Sequence, residues 1–223
     1  TENGEKVRVI FEDSALNTQR RLSAAQKLFF IDKIDAIYVD NSVIAIAVSS
    51  LAQTNKKLMV YSAAARSVAK NNAYAFKSYS DYYQGCEAIA REFKNRGIER
   101  VGVLKAETEY GELCLSGVKN VYHEILEQAY KQGDIVSAQM LYFKNKDTQA
   151  VINGSFEGDV MNMLKAASSI RYAVKVGAAE DSFTVQLRDK FHNRLEGSMS
   201  FGLQRLSDQI IDQAKKIEGG DTL

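Results

Sequence analysis

The sequence predicts an α/β protein of two Rossmann-like lobes, each a parallel sheet layered with helices, joined by a hinge and facing one another across an interlobe cleft. Three observations carry that expectation. Short β-rich runs alternate with amphipathic stretches along the chain. The alternation restarts at Asp81 with no low-complexity linker before it, as at a crossover between lobes and unlike a flexible tether. With 223 residues, 45% of them hydrophobic, the chain can bury two modest cores. The expected division is 1–80 for part of a first lobe and 81–195 for a second, with 196–223 as a return crossing and C-terminal helix directed toward the first.

In the first lobe, KVRVIF (6–11), IDAIYV (34–39), KLMVY (57–61) and YAFKSY (74–79) read as buried parallel strands. Between the first two, TQRRLSAAQKLFFI sets Leu22, Ala25, Leu28 and Phe29 on one helical face behind an N-cap at Thr18. Ser42 opens VIAIAVSSLAQ, read as a short buried helix because parallel neighbours require a crossover.

The second series starts with a helix over 81–96 stopped by Gly97, then a strand RVGVL (100–104), a long helix from Glu109 to Tyr130 and a strand IVSAQMLYF. It continues with a strand QAVING (149–154), a helix 158–170, a strand YAVKVGA (172–178), a helix 182–191, a strand LEGSMSFGL and a last helix 207–217.

Composition excludes several functions. Lys plus Arg number 29 and Asp plus Glu 28, so no net field recruits nucleic acid or anionic lipid. No run approaches the roughly 18 apolar residues of a membrane span, and Thr1 to Lys6 lack an apolar signal core. Cys86 and Cys114 are too few for a disulfide scaffold and lack metal-ligand spacing, which leaves their pairing and the redox compartment open. His123, read as mid-helix, and His192, near a helix end, argue against a histidine metal site. Proline is absent, where average usage of about 5% would give roughly eleven, and nothing in the sequence explains it.

In open parallel sheets, ligands gather beyond the carboxyl ends of the strands. The residues there are Asp40 to Ser42, Ser62 to Ala65, Ser80 and Asp81, Glu107 to Tyr110, Ser155 to Glu157, and Glu180 with Asp181. Small residues at a strand-to-helix turn let amides and a helix N-terminus face a carboxylate, which suits Ser42, Ser62, Ala63 and Ala64. Asp81 and Glu180 can pair with an ammonium group, Tyr110 and Phe156 supply apolar walls with one hydroxyl, and Ser155 is a further ligand-binding candidate at its strand end. Ser42 and Asp81 serve equally well as plain helix N-caps. Catalysis finds little support: there is no GxGxxG, Walker loop or G-x-S-x-G elbow, and no cofactor is implied.

The succession VRVIFEDSALN, AAQKL, IDAI, KLMVYSAAA and YAFKSYSDYYQG, followed by RVGVLKAETEYG and LEGSMSFGL, resembles the type I periplasmic binding proteins, specifically the branched-chain amino-acid binders of ABC importers. The likeness runs along nearly the whole chain. It implies a solute held between lobes that close by hinge bending, with Ser42, Ala63 and Ala64 on the ligand carboxylate. Tyr110 and Phe156 fall on cleft aromatics, Glu180 on the ammonium-binding acid, and Asp81 on an interlobe polar position.

Three departures stand out. Ala65 replaces a frequent Thr and Arg66 a small polar residue, which weakens or shifts carboxylate recognition. By this resemblance, the family's first strand and helix are expected to be missing before Thr1 and its closing helices after Leu223. The stretch from Lys144 to Gln149 is shorter than the helix the family places there. The expected protein is therefore a solute-binding protein that takes an amino acid or related small carboxylate to an ABC permease in the membrane. Its expected location is periplasmic or extracellular, with or without a lipid anchor. The alternative is the ligand-binding sensor domain of a receptor or an amide- or amino-acid-responsive regulator.

Overall fold

The computed structural model describes residues 6–13, 18–70, 72–179 and 182–202. Its strands fall into two parallel sheets. The smaller holds β1 (Ala36–Asp40), β2 (Leu58–Ser62) and β3 (Ala75–Lys77) in that order. The larger holds β4 (Val101–Ala106), β5 (Leu126–Tyr130), β6 (Ala150–Asn153), β7 (Lys175–Ala179) and β8 (Met199–Phe201), in the order β5-β4-β6-β7-β8. Both sheets are wholly parallel, so every connection within a sheet is a crossover.

The crossovers of the smaller sheet are α2 (Ser42–Thr54) and the single turn α3 (Ser67–Lys70), preceded by α1 (Thr18–Gln26) with a π-helical extension over Lys27–Ile31. The face expected on α1 buries Ala25, Leu28 and Phe29 but leaves Leu22 exposed, and the cap expected at Thr18 lies outside the described side chains. Met59, Tyr61, Ala45, Val48 and Ala52 complete this core.

Around the larger sheet stand α4 (Tyr82–Asn95), α5 (Glu109–Lys119), α6 (Ser137–Asn145), α7 (Glu157–Ser169) and α8 (Val185–Phe191). Cores form on both faces: Phe93, Ile89, Val103 and Ile152 on the side of α4 and α5, Leu104, Met140, Phe143, Met163 and Leu164 on the other. β6 is buried at all four positions, as a central parallel strand should be. α4 stops at Gly97, whose φ is +74°. There the amide of Ile98 bonds the carbonyl of Phe93 at 3.0 Å and that of Gly97 bonds Lys94 at 3.0 Å, the paired closure of a glycine-capped helix.

Four expectations need correction. Residues 6–11 form no strand: Val7, Val9 and Phe11 are exposed, and among the described residues no strand pairs with them, so alternation alone builds no ladder. The helix expected from Glu109 to Tyr130 ends at Lys119, and Leu126–Tyr130 pairs with β4 as an edge strand. His123 is thus in an exposed loop and not mid-helix. The stretch IVSAQMLYF is the helix α6, because its buried residues Val136, Met140 and Phe143 are spaced by four and three. That helix also fills the place where Lys144 to Gln149 looked short. The segment expected as a return crossing from 196 begins with β8, a strand of the larger sheet, and the helix expected over 207–217 lies outside the described residues.

Cys86 and Cys114 are joined by a disulfide that ties α4 to α5, with both residues fully buried. Gly154 makes room for it. A Cβ at that position would stand 2.5 Å from the Cβ of Cys114.

Candidate ligand-binding site

The order β5-β4-β6 reverses direction at β4, so the carboxyl ends of β4 and β6 bound the topological switch point where open parallel sheets receive ligands. Thr108 follows β4 and caps α5 by accepting the amide of Gly111, and this places Tyr110 in the first turn. Phe156 follows β6 and occupies the position just before α7, without a side-chain capping bond. The two rings meet edge to face with centroids 5.2 Å apart, and Phe156 remains 39% exposed.

Ala64, at the carboxyl end of β2, buries itself with Tyr82 of α4 and Ala179 of β7, and Tyr79, Tyr110, Leu113 and Phe201 pack against them. Residues from both sheets therefore converge on one aromatic cluster. Tyr82 lies 5.7 Å from Tyr110 and 5.2 Å from Phe201, centroid to centroid.

The turn that carries Ala64 is fixed from two sides. Ser42 Oγ accepts the amide of Ala65 at 3.3 Å, and the buried hydroxyl of Tyr61 donates to the Ala65 carbonyl at 3.0 Å. Ser42 itself is the first residue of α2 and not its cap. That role falls to Asn41, which accepts the amide of Val43 at 2.9 Å and adopts φ +79°, a backbone conformation that residues with a side chain rarely take. Ser62 ends β2, its carbonyl accepting the amide of Asn41 at 3.3 Å.

Asp81 caps α4 through the amide of Gln84 at 3.1 Å and receives Arg66 Nε at 2.7 Å, with Lys77 Nζ 3.9 Å away. The carboxylate expected to face an ammonium group is thus already engaged by protein donors. Arg66 also lies 5.0 Å above the ring of Tyr83. Burial holds the Lys77 ammonium below the ordinary lysine range; Asp81 and Glu109 oppose that shift, and Arg66 adds to it.

A sequence profile of the periplasmic binding proteins matches residues 2–179. The chain belongs to this family. Among solved structures it is similar to the leucine-binding protein LivK of Thermotoga maritima, with 18% identity over 98% of this chain and 67% of that one, at a TM-score of 0.78. It is also similar to an ABC-transporter solute-binding protein of Rhodopseudomonas palustris in complex with 4-hydroxybenzoate, with 18% identity over 99% of this chain and 64% of that one, at 0.77. A third is the solute-binding protein of R. palustris BisB5 in complex with 3,4-dihydroxybenzoic acid, with 20% identity over 80% of this chain and 52% of that one, at 0.68. The chain thus spans about half to two thirds of the length of these structures. No curated protein matches the sequence. The shared architecture is the type I fold of periplasmic binding proteins.

Of the remaining expected site residues in this periplasmic binding protein, Ala63 is buried in the core of the smaller sheet and Ser155 directly precedes Phe156 after β6. Ser155 is fully buried, its hydroxyl donating to Asp159 and its carbonyl accepting from Ser182. Asp159 also accepts the amide of Gly133 at 2.9 Å, so these groups bind three strand-end loops together and leave Ser155 no free hydroxyl. Glu180, together with Asp181, lies outside the described residues.

An open depression of about 580 Å³, lined by residues including Tyr172, Lys175 and Arg194, lies at the opposite, amino edge of the larger sheet, remote from the cluster. No helix among the described residues is long and apolar enough to cross a membrane. Among the same residues, no group of three or more His, Cys, Asp or Glu is placed to hold a metal ion.

Sequence reasoning missed Tyr61, Tyr82, Phe201 and the Arg66–Asp81 pair. Tyr82 follows Asp81 directly, so the strand-end rule extended by one residue would have reached it. The others are joined by tertiary contact alone.

Proposed function

We propose that the chain is the ligand-capturing part of a solute-binding protein, taking an amino acid or related small carboxylate at the junction of its two sheets for delivery to an ABC permease. The observation that carries this reading is the Tyr110–Phe156 pair at the switch point of the larger sheet, packed into the cluster that Ala64 of the smaller sheet completes. A ligand there would touch both lobes, which is what allows binding energy to favour a closed arrangement. Ser42, Ser62, Ala63 and Ala64 supply the carboxylate side of this reading. Asp81, Ser155 and Glu180 supply its polar remainder, Asp81 acting through the Arg66 that it holds and the hydroxyl of Ser155 only through the loops it ties.

Relatives in fold are described as binding leucine and hydroxybenzoates, so both are first candidates for this chain. The buried Cys86–Cys114 disulfide fits a protein that works outside the reducing cytosol, in the periplasm or beyond the cell.

The test is a thermal-shift panel of amino acids, aromatic acids, amides and sugars. A ligand at 100 times its dissociation constant should stabilise the protein by about 2.7 kcal/mol. Tyr110→Ala should weaken whichever carboxylate binds by at least about tenfold, and Glu180→Gln should do the same for an ammonium-bearing one. Stabilisation by sugars alone, or by nothing in the panel, would remove the carboxylate assignment.

A further inference from the structure

Arg66 stands where a small polar residue was expected, and the structure gives it a defined posture. Its Nε donates to Asp81 at 2.7 Å and its guanidinium lies 5.0 Å over Tyr83, while 43% of the side chain stays exposed. Among the described residues no hydrogen bond is made by its two terminal Nη atoms. A guanidinium held at Nε and stacked on a ring keeps its Nη edge oriented, the arrangement that receives a carboxylate through two parallel hydrogen bonds.

The neighbouring cation is not equivalent. Lys77 is only 15% exposed, and its ammonium donates to the Ser80 carbonyl at 3.2 Å. Arg66 and Lys77 are balanced by Asp81 and by Glu109, the other acid whose charge bears on Lys77. With these four charges cancelling, an anion would be held here by directed hydrogen bonds and not by a net field.

The walls indicate what the carboxylate is attached to. Asp81, which holds Arg66, is followed by Tyr82, and from Tyr82 a run of rings leads through Tyr110 to Phe156, with Phe201 against Tyr82. The hydroxyl of Tyr110 is buried and has no hydrogen-bond partner among the described residues. A buried hydroxyl without a partner is costly, and a ligand acceptor would satisfy it.

Resting on the solute-binding reading above, we infer that Arg66 is the carboxylate-reading and specificity-determining residue of the site, and that the ligand class is an aromatic carboxylate. The ring lies along the tyrosine and phenylalanine walls and the carboxylate takes the Nη edge of Arg66. Asp81 and Tyr83 are positioning residues that hold that edge.

The test is calorimetric titration of the whole chain, and of its Arg66→Ala and Arg66→Lys variants, with benzoate, its uncharged counterpart benzamide, and L-leucine. Benzoate should bind the unaltered chain. Arg66→Ala should weaken it by about thirtyfold or more, and Arg66→Lys should recover only part of that loss, because an ammonium cannot reproduce the fork. Benzamide should bind weakly and alike to all three proteins. Matching thermal melts would show that the variants remain folded. Benzoate affinity unchanged in Arg66→Ala overturns the inference. Leucine binding without benzoate binding overturns it too, while leaving the solute-binding reading intact. Binding of no carboxylate at all would overturn both.

Discussion

The two sheets differ in how completely they are covered. The larger has helices and buried side chains on both faces, a disulfide between two of its helices and a buried hydrogen-bonded group tying three of its loops. Among the described residues, the smaller is buried on one face only. On its other face, the register places Tyr38 opposite Val60 and Val60 opposite Phe76, and Tyr38 and Phe76 are 64% and 56% exposed. Parallel sheets are normally buried on both sides. The difference indicates that the second lobe holds its own stability while the first, as described, lacks half of its apolar burial, so the two should not unfold as one unit.

The sharpest way to break that comparison is to damage one core and watch the other. Phe143 is fully buried and packs beside Gly102, where an added Cβ would meet its ring at 2.6 Å. Phe143→Ala should destabilise the second lobe by about 3–5 kcal/mol. Amide exchange in β1 and β2 should be unchanged. Equal loss of protection in both sheets would mean one cooperative unit.

The disulfide comes next in expected size. It closes a loop with a sequence separation of 28 residues, and loop-closure entropy for such a length is about 3–4 kcal/mol. Replacing both cysteines by alanine should cost the second lobe about that much in a urea titration, with no effect on the first. The same double variant should still bind ligand well below its midpoint, because the bridge lies within one lobe and does not cross the junction.

Much of this asymmetry was hidden in the sequence, and the reasons are specific. The βα alternation revealed both sheets, and the strand-end rule reached Ala64, Tyr110 and Phe156, because burial on both faces makes parallel strands conspicuous and their carboxyl ends easy to locate. The rule failed where local pattern competes with topology. Ile135 and Val136 begin a run that looks β-rich, and only the spacing of Val136, Met140 and Phe143 shows it to be helical. Arg66 and Asp81 are 15 residues apart with β3 between them, so their ion pair exists only once β3 has docked on β2. The Cys86–Cys114 bridge likewise requires α4 and α5 to lie side by side, a packing that no spacing rule supplies.

A smaller effect should appear at alkaline pH. Tyr172 donates its hydroxyl to the Thr148 carbonyl at 2.6 Å, and burial pushes its phenol up to about 12 from the usual 10. Because the folded protein holds this proton more tightly than the unfolded chain, the contribution is fully present below pH 10 and is lost between pH 10 and about 12. Tyr172→Phe should remove that share of the alkaline slope from the second lobe's unfolding, seen by urea titration across the window. Burial also raises the phenols of Tyr122 and Tyr130, so part of the slope should remain.

The smallest expected change tests the bare face itself. If Phe76 stands in solvent as its 56% exposure says, Phe76→Ser removes little burial and should alter stability by no more than about 0.5 kcal/mol. The strand would keep its ladder to β2, since serine leaves the backbone bonds intact. A loss of about 2 kcal/mol or more would instead show that the ring is covered in the folded protein, by chain outside the described residues or by another molecule. Repeating the measurement at several protein concentrations separates those two covers, because a second molecule makes the loss concentration-dependent and an intrachain cover does not. The comparison between the lobes would then change in kind: the smaller sheet would no longer be the weaker half by construction but one whose second layer lies elsewhere.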